Sequence, residues 1–251
     1  MKTIKLNGKA VTLYDGIEEL PMPRFHRYNK YLLLDAGIGS DLAAFDRHTE
    51  RILAYLRQKD EKNAMVELDN MRQNVYFILQ NVAPTQLSFA ALVISINGEP
   101  CNDLSDEGLR KTFEKINGMT VQEFQENFES FKKKIESELR AYFPQLFEDA
   151  ETKEFYDILK NRTLLQLREI TDGKTDEDKL SKLTDRITTY TKPRLFSGSK
   201  NSEIEYDKCF ENLCLAISQN LHTNPKRMTV LEFYNAYEYV KSIAESNKKL
   251  K

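Results

Sequence analysis

Two glycines, a serine and an aspartate stand directly before a helical pattern, and residues of these types can bind phosphate. The stretch is GIGSD, residues 37–41. Backbone N–H groups of a glycine-rich turn at a helix start attract anions. A dinucleotide-binding fingerprint, however, needs a third glycine where this chain has Leu42, and a P-loop needs a lysine that is absent after the second glycine. Asp41 would also repel a phosphate in the first helical turn.

Capping explains the same turn without a ligand. Gly37 can end one helix, and Ser40 can begin the next, because glycine tolerates the C-terminal position and serine favours the N-terminal one. Ile38 then pins the turn to the core. A nucleotide- or metal-using enzyme built on residues 37–41 (Gly37, Gly39, Ser40 and Asp41), with His48 on the following helix, remains the alternative interpretation.

A DNA-reading helix-turn-helix is a third interpretation of this turn. It would place Asp41, Phe45 and Asp46 near the DNA. Reading helices offer Arg, Lys, Asn or Gln to base edges and cations to phosphates. The two aspartates argue against it, so we expect no nucleic-acid partner.

The other residues that could do chemistry do not form a recognisable site. The three histidines, His26, His48 and His222, lie in no HxxxH or HExxH pattern. There is no GxSxG elbow, and Cys101 has no basic neighbour to activate its thiol. The sequence therefore predicts no catalytic residue, no cofactor and no metal, and the chain is not expected to be an enzyme.

Aromatic residues are the more suggestive feature. The stretch FYNAYEYV, 233–240, surrounds most of one predicted helix with rings. One face must serve the core, but tyrosine also suits interfaces, because it buries area and keeps a polar tip. We predict a partner-binding surface formed by Phe233, Tyr234, Tyr237 and Tyr239, with core packing as the alternative.

Composition bounds the fold and the compartment. The chain has 251 residues, a net charge of −2, and only 9 glycines and 7 prolines, which favours long helices. Three scattered cysteines are typical of free thiols in a reducing compartment. No apolar leader and no run of about 20 apolar residues is present. We expect a protein that folds and acts in a cytoplasm without a membrane partner.

The N-terminus predicts a β-hairpin. Ile4, Leu6, Val11 and Leu13 alternate with polar residues around Asn7-Gly8. An Asn-Gly pair suits a two-residue turn, because both positions need positive φ. Leu6 then pairs with Lys9 and Ile4 with Val11, which places the four apolar residues on one face.

Helical patterns follow over the rest of the chain. We predict helices over 24–35, 41–58, 61–82, 145–171, 176–190, 204–221 and 229–247. The predicted core stripes are Leu42, Phe45, Ile52 and Leu56 in the second helix, and Ala64, Leu68, Met71, Val75, Ile78 and Val82 in the third. Asn97-Gly98 and Asn117-Gly118 are expected to end helices. The apolar run 87–96 is a buried helix or a buried strand.

A long aromatic helix should begin at Thr120, which forms a capping box with Glu123. Its predicted stripe is Val121, Phe124, Phe128, Phe131, Ile135, Leu139 and Phe143, and Pro144 ends it. The expected architecture is mainly α: a multi-helix body with the β-hairpin over 1–191, a linker over 192–203 and a C-terminal helical hairpin over 204–251. Thr229 caps the last helix with Glu232.

Two stretches resemble phage proteins. Residues 13–56, from LYDGIEELPMPRF to ERILAYL, resemble the start of uncharacterised proteins from phages and prophages of gut Bacteroidota. Residues 220–246 resemble the ends of phage tail assembly chaperones, in Pro225, Met228, Thr229, Glu232 and Phe233. The resemblance implies a non-enzymatic protein of tail assembly or of the virion, in contact with other phage structural or assembly proteins or with itself. A host-directed regulatory binding protein is the other alternative to the enzyme.

Overall fold

A computed structural model describes residues 1–81, 83–116, 118, 120–147, 150–173 and 176–249. The described chain is mainly α-helical, as predicted, with an N-terminal β-hairpin and helices at its C-terminal end. The helices are α1 (Met22–Gly37), α2 (Leu42–Arg57), α3 (Glu61–Gln80), α4 (Pro84–Leu92), α5 (Asp106–Ile116), α6 (Val121–Tyr142), α7 (Ala150–Asp172), α8 (Glu177–Tyr190), α9 (Ser202–Leu221) and α10 (Val230–Lys249). The strands are β1 (Lys2–Leu6), β2 (Lys9–Leu13), β3 (Val93–Ile96) and β4 (Glu99–Pro100).

The chain forms two compact units, each discontinuous in sequence. Unit 1 contains residues 1–33, 84–146 and 203–251, and unit 2 contains residues 34–83 and 147–202. This division differs from the predicted boundary at 192–203. The C-terminal helices α9 and α10 belong with the N-terminal strands in unit 1.

The predicted hairpin is confirmed in its register. Leu6 pairs with Lys9 and Ile4 with Val11, and Asn7 and Gly8 both have positive φ. Its apolar face is buried at Leu6, Val11 and Leu13 and half-buried at Ile4. Strands β3 and β4 extend it to a four-stranded antiparallel sheet in the order β1-β2-β3-β4.

The apolar run 87–96 is both helix and strand. Its first part completes α4, which begins at Pro84, and its last four residues form β3. Asn97-Gly98 was predicted to end a helix, and this is wrong: the pair is the turn between β3 and β4. The reason is that a helix C-cap and a tight hairpin turn need the same positive φ. Gly118 has positive φ after α5, while Asn117 lies outside the described residues.

Aromatic packing forms the core of unit 1. The capping box of Thr120 and Glu123 is confirmed, and the predicted α6 stripe is buried at Phe128, Phe131, Ile135, Leu139 and Phe143. The Phe89 ring of α4 meets the rings of Phe124, Phe128 and Phe131 edge-on at 5.6–6.2 Å. Such pairs add directional preference to the burial of apolar area.

The start of α10 is fixed to the segment before α1. Val230 N donates to Leu20 O at 2.9 Å, and Leu231 N donates to Ile17 O at 3.1 Å. Thr229 and Glu232 form the predicted reciprocal cap, with 2.8 Å from Thr229 N to Glu232 Oε2. The last helix is therefore an integral part of unit 1.

In unit 2 the predicted core stripes of α2 and α3 are confirmed at Ala64 and wrong at four positions. Leu42 and Leu56 of α2 and Leu68 and Val75 of α3 are exposed. Phe45, Ile52, Met71 and Ile78 are half-buried, Ala64 is buried, and Val82 lies outside the described residues. The buried faces instead carry Ala44, His48, Ala54 and Tyr55 in α2, and Ala64, Glu67, Asn70 and Asn74 in α3.

The predicted linker is also packed. Phe196 is buried in unit 2, with its ring against Gly37, and the Arg194 carbonyl accepts a hydrogen bond from Asn70 Nδ2 at 2.9 Å. The Thr191 carbonyl accepts from Arg51 and Tyr55. Polar side chains of α2 and α3 thus bind the backbone of Arg194, in the predicted linker, and of Thr191, directly before it.

Candidate interaction surface

The Gly37–Asp41 turn is a helix corner, but its capping residue differs from the predicted one. Asp41, rather than Ser40, caps α2, because its Oδ1 accepts a hydrogen bond from Ala44 N at 2.7 Å. Gly39, rather than Gly37, has the left-handed backbone, with φ +67°. A carboxylate therefore occupies the N-terminal position of α2 that a phosphate would need.

His48 reaches this corner from α2. Its Nδ1 lies 2.7 Å from Glu67 Oε2, and its Nε2 lies 2.9 Å from the Ile38 carbonyl oxygen. The imidazole is buried. Both ring nitrogens have protein partners, so neither is free to bind a metal.

Glu67 is the centre of a buried polar cluster in unit 2. It is 0% exposed, and its Oε1 lies 2.8 Å from Arg51 Nε. The angle there does not suit a hydrogen bond, so the contact is ionic. Arg51 Nη2 donates to the Thr191 carbonyl at 2.7 Å. A buried carboxylate is tolerated when cations and donors surround it.

Two asparagines on α3 extend this cluster. Asn74 Nδ2 lies 3.3 Å from the carbonyl oxygens of Ile38 and Asp41, and Asn70 donates to Arg194 O. Glu67, Asn70 and Asn74 follow one another at three- and four-residue spacing, so they share one helix face. That face is directed inward because its partners are backbone carbonyls that need donors.

Exposed apolar side chains of α3 lie on the opposite face of the helix. Exposed apolar side chains continue on α2, and the contact of Thr49 Oγ1 with Met71 Sδ at 3.7 Å marks where the helices meet. We call these eight side chains the α2–α3 surface. Its members are Leu42, Leu53, Leu56, Met65, Leu68, Val75, Tyr76 and Leu79, which are 37–78% exposed.

Two unpaired charges accompany the apolar side chains. Asp46 follows Leu42 by four residues, and Arg72 stands between Leu68 and Tyr76 at four-residue spacing. Within the described part of the chain, neither Asp46 nor Arg72 makes a hydrogen bond or an ion pair. The neighbouring Glu50 differs, since it pairs with Arg162.

The four residues of α10 that are predicted to bind a partner differ in how exposed their side chains are. Phe233 is 2% exposed, and its ring centroid lies 5.9 Å from that of Phe210, which favours the core interpretation for this residue. Tyr234 is half-buried and meets the rings of Phe25 and Phe143. Tyr237 is half-buried, and Tyr239 is 58% exposed. The surface predicted there remains a prediction, and Tyr239 is its most accessible member.

A second polar cluster lies in unit 1. His26 Nε2 is 2.8 Å from Asp207 Oδ1, and Lys30 Nζ is 2.7 Å from Asp207 Oδ2. The imidazole stacks between Tyr206 and Phe210, at centroid distances of 4.7 and 4.1 Å. Burial lowers the pKa of His26, although the Asp207 hydrogen bond opposes it.

A cleft of about 410 Å³ opens beside this cluster. Burial raises the pKa of Asp207, but the hydrogen bonds from Lys30 and His26 outweigh it and leave that pKa below its ordinary value. The His–Asp pair has the geometry of a general base, yet none of the lining residues is a serine, threonine or cysteine. The lining residues are Pro23, His26, Arg27, Leu104, Asp207, Phe210, Glu211 and Lys226.

Searches for a metal centre and for a membrane span were negative over the described ranges. No cluster of three or more histidine, cysteine, aspartate or glutamate side chains there could hold a metal ion. No helix in these ranges is both long and apolar enough to cross a membrane.

Sequence reasoning missed the α2–α3 surface and the polar cluster behind it. The signal was present as a second stripe on α3, since Glu67, Asn70 and Asn74 follow the same three- and four-residue spacing as the predicted apolar stripe.

Comparison of the chain with protein-family models, curated proteins and solved structures gave no match.

Proposed function

We propose that this chain is a non-enzymatic assembly protein that acts by burying the α2–α3 surface against another folded protein. The observation that carries the proposal is the exposure of eight apolar side chains on two adjacent helices. Single exposed leucines are ordinary, but a contiguous apolar patch on a soluble domain is characteristic of a protein contact site.

The polar cluster behind the surface supports this proposal. Glu67, His48 and Asn74 hold the polar faces of α2 and α3 inward through paired hydrogen bonds. Turning either helix to bury its leucines would expose these pairs and leave the carbonyls of Ile38 and Arg194 without donors. A partner can cover the leucines without that cost.

The two sequence resemblances suggest the setting. They suggest a protein of phage or prophage origin that works in tail assembly or in the virion. Its partners would be other phage structural or assembly proteins, met in the host cytoplasm. The stretch 13–56 includes α2 except for its last residue, Arg57, so one resemblance overlaps the surface.

The enzyme alternative has less support in the same residues. Asp41 caps a helix, both nitrogens of His48 are engaged, and a Cβ on Gly39 would lie 2.4 Å from Ala44 Cβ. The turn is therefore filled by its own side chains. A saturable thermal shift with a nucleotide or a divalent metal, abolished in Asp41→Ala, would favour the enzyme instead.

The proposal is tested by affinity capture of the full chain from its own cells. Leu56→Arg and Leu215→Arg form a matched pair, because Leu56 is 52% exposed on α2 and Leu215 is 56% exposed on α9. We expect a phage structural or assembly protein, or an untagged second copy of this chain, to be retained by the wild type and by Leu215→Arg and lost from Leu56→Arg. Equal retention by both variants would overturn the proposal.

A further inference from the structure

The contacts between α2 and α3 give the relative levels of their residues. Asp41 meets Asn74, His48 meets Glu67, and Thr49 meets Met71, so the numbers rise along α2 while they fall along α3. The helices are therefore antiparallel. With a rise of about 1.5 Å per residue, these contacts place Asp46 level with Arg72 to within about one turn.

The apolar side chains follow the same levels. Leu42 lies near the level of Tyr76, and Leu53 lies near the level of Met65. A protein that complements this surface must present apolar side chains at matching heights, with a base opposite Asp46 and an acid opposite Arg72. The α2–α3 surface itself has this arrangement once it is turned about a two-fold axis.

We propose that the α2–α3 surface binds the same surface of a second copy of this chain, an inference that rests on the proposed function. The two-fold axis runs parallel to the helices. Each α2 then lies on α3 of the other copy, and two Asp46–Arg72 pairs form across the interface. Self-pairing of one surface is the usual geometry of protein dimers.

The charges of Asp46 and Arg72 favour this axis over a two-fold axis perpendicular to the helices. A two-fold axis perpendicular to the helices would place α3 on α3 and bring the Arg72 side chains of the two copies together near the centre. Like charges in a desolvated contact are unfavourable. The parallel axis instead gives each unpaired charge an opposite partner.

The size of the surface also suits a dimer. At exposed fractions of 37–78%, eight side chains correspond to on the order of 800 Å². A standard interface buries about that area on each partner. Homodimer interfaces are also more apolar than other interfaces, as this surface is.

Sedimentation velocity of the full chain tests the inference with charge reversals. We expect a dimer for the wild type and at least a tenfold weaker association for Asp46→Arg and for Arg72→Asp. The double variant should regain the affinity, because it exchanges the two charges and keeps both cross-copy pairs. Leu215→Arg is the matched control and should remain dimeric, and circular dichroism checks that each variant is folded.

A wild type that stays monomeric at about 100 µM, or a double variant no stronger than the single ones, would overturn the dimer. The capture experiment separates this failure from that of the proposed function. If the chain is monomeric and Leu56→Arg still loses an identified phage partner, the surface binds a different protein and the function stands. If the chain is monomeric and Leu56→Arg keeps every partner, both proposals fail.

Discussion

His48 Nδ1 lies 2.7 Å from Glu67 Oε2 in the interior of unit 2, between two helices whose leucines are directed outward. The other ring nitrogen faces the Ile38 carbonyl, so both imidazole nitrogens meet acceptors. Arg51 Nε lies 2.8 Å from the other carboxyl oxygen of Glu67, so this carboxyl group lies between two basic side chains. These buried contacts fix which faces of α2 and α3 are directed inward.

Glu67→Gln is expected to destabilise unit 2 by about 3–5 kcal/mol, because it removes a buried carboxyl group that contacts both His48 and the half-buried Arg51. Urea unfolding followed by circular dichroism measures the change in the free energy of unfolding. Glu61→Gln, an exposed change in the first turn of α3, is the control and should have little effect.

The double variant His48→Leu/Glu67→Leu separates pairing from packing. Replacing both partners by apolar side chains is often neutral or stabilising, whereas removing one is costly. Glu67→Leu is the matched single variant, because it and the double variant both leave Arg51 without its carboxylate, and we expect the double variant to be the more stable of the two. A double variant less stable than Glu67→Leu would contradict the pairing of His48 with Glu67.

Local patterns predict the hairpin and the aromatic helix because neighbours in sequence decide them. The Asn7-Gly8 turn sets the register of β1 and β2. The regularly spaced apolar residues of α6 are buried in the core from Phe128 to Phe143, as predicted. The same dipeptide at Asn97-Gly98 was assigned to the wrong structure. Positive φ serves both a helix end and a hairpin, and only the pairing with β2 distinguishes them.

The α2–α3 surface could not be predicted by the same means. Helix α3 has two regular stripes, one of mixed apolar residues and one with Glu67, Asn70 and Asn74. Hydrophobicity alone assigns the first to the interior. The carbonyls that reverse the choice belong to Ile38, Asp41 and Arg194, up to 124 residues away in sequence.

Gly39→Ala is expected to be more costly than Gly198→Ala. Both glycines have φ +67°, but a Cβ on Gly39 would lie 2.4 Å from Ala44 Cβ, whereas a Cβ on Gly198 meets nothing within 4 Å. The left-handed backbone alone costs about 1–2 kcal/mol. The overlap adds about 1–3 kcal/mol by displacing the first turn of α2. If both variants lose the same free energy of unfolding in urea, the overlap of the new Cβ with Ala44 has no cost and the prediction is wrong.

Phe233→Ala and Tyr239→Ala separate the two roles of α10. Phe233 is in the core of unit 1, so its truncation should cost about 3–5 kcal/mol. Tyr239 is exposed, and its truncation should change stability by no more than about 0.5 kcal/mol.

If α10 also binds a partner, Tyr239→Ala should weaken capture of that partner while the unfolding free energy is unchanged. Tyr142→Ala, another exposed tyrosine of unit 1, is the matched control. Capture that is the same for Tyr239→Ala and Tyr142→Ala would remove Tyr239 from the partner-binding set.

His26 is expected to titrate below its ordinary pKa of 6.5, because burial disfavours the charged ring. The folded state then binds this proton less readily than the unfolded state does. The contribution to stability is present above pH 6.5 and is lost as the pH falls through the lowered pKa. Asp207 adds a second loss of stability as the pH falls below 3.8, because its pKa is lower in the folded state than in the unfolded state.

NMR titration of the His26 ring tests how far Asp207 offsets the effect of burial on the His26 pKa. Asp207→Asn should lower the His26 pKa further, because the hydrogen bond and charge of Asp207 raise it. Glu211 lines the same cleft but is not among the groups that shift the His26 pKa, so Glu211→Gln should leave that pKa unchanged. A His26 pKa that rises in Asp207→Asn would contradict the arrangement, since the carboxylate would then not be the group that stabilises the imidazolium.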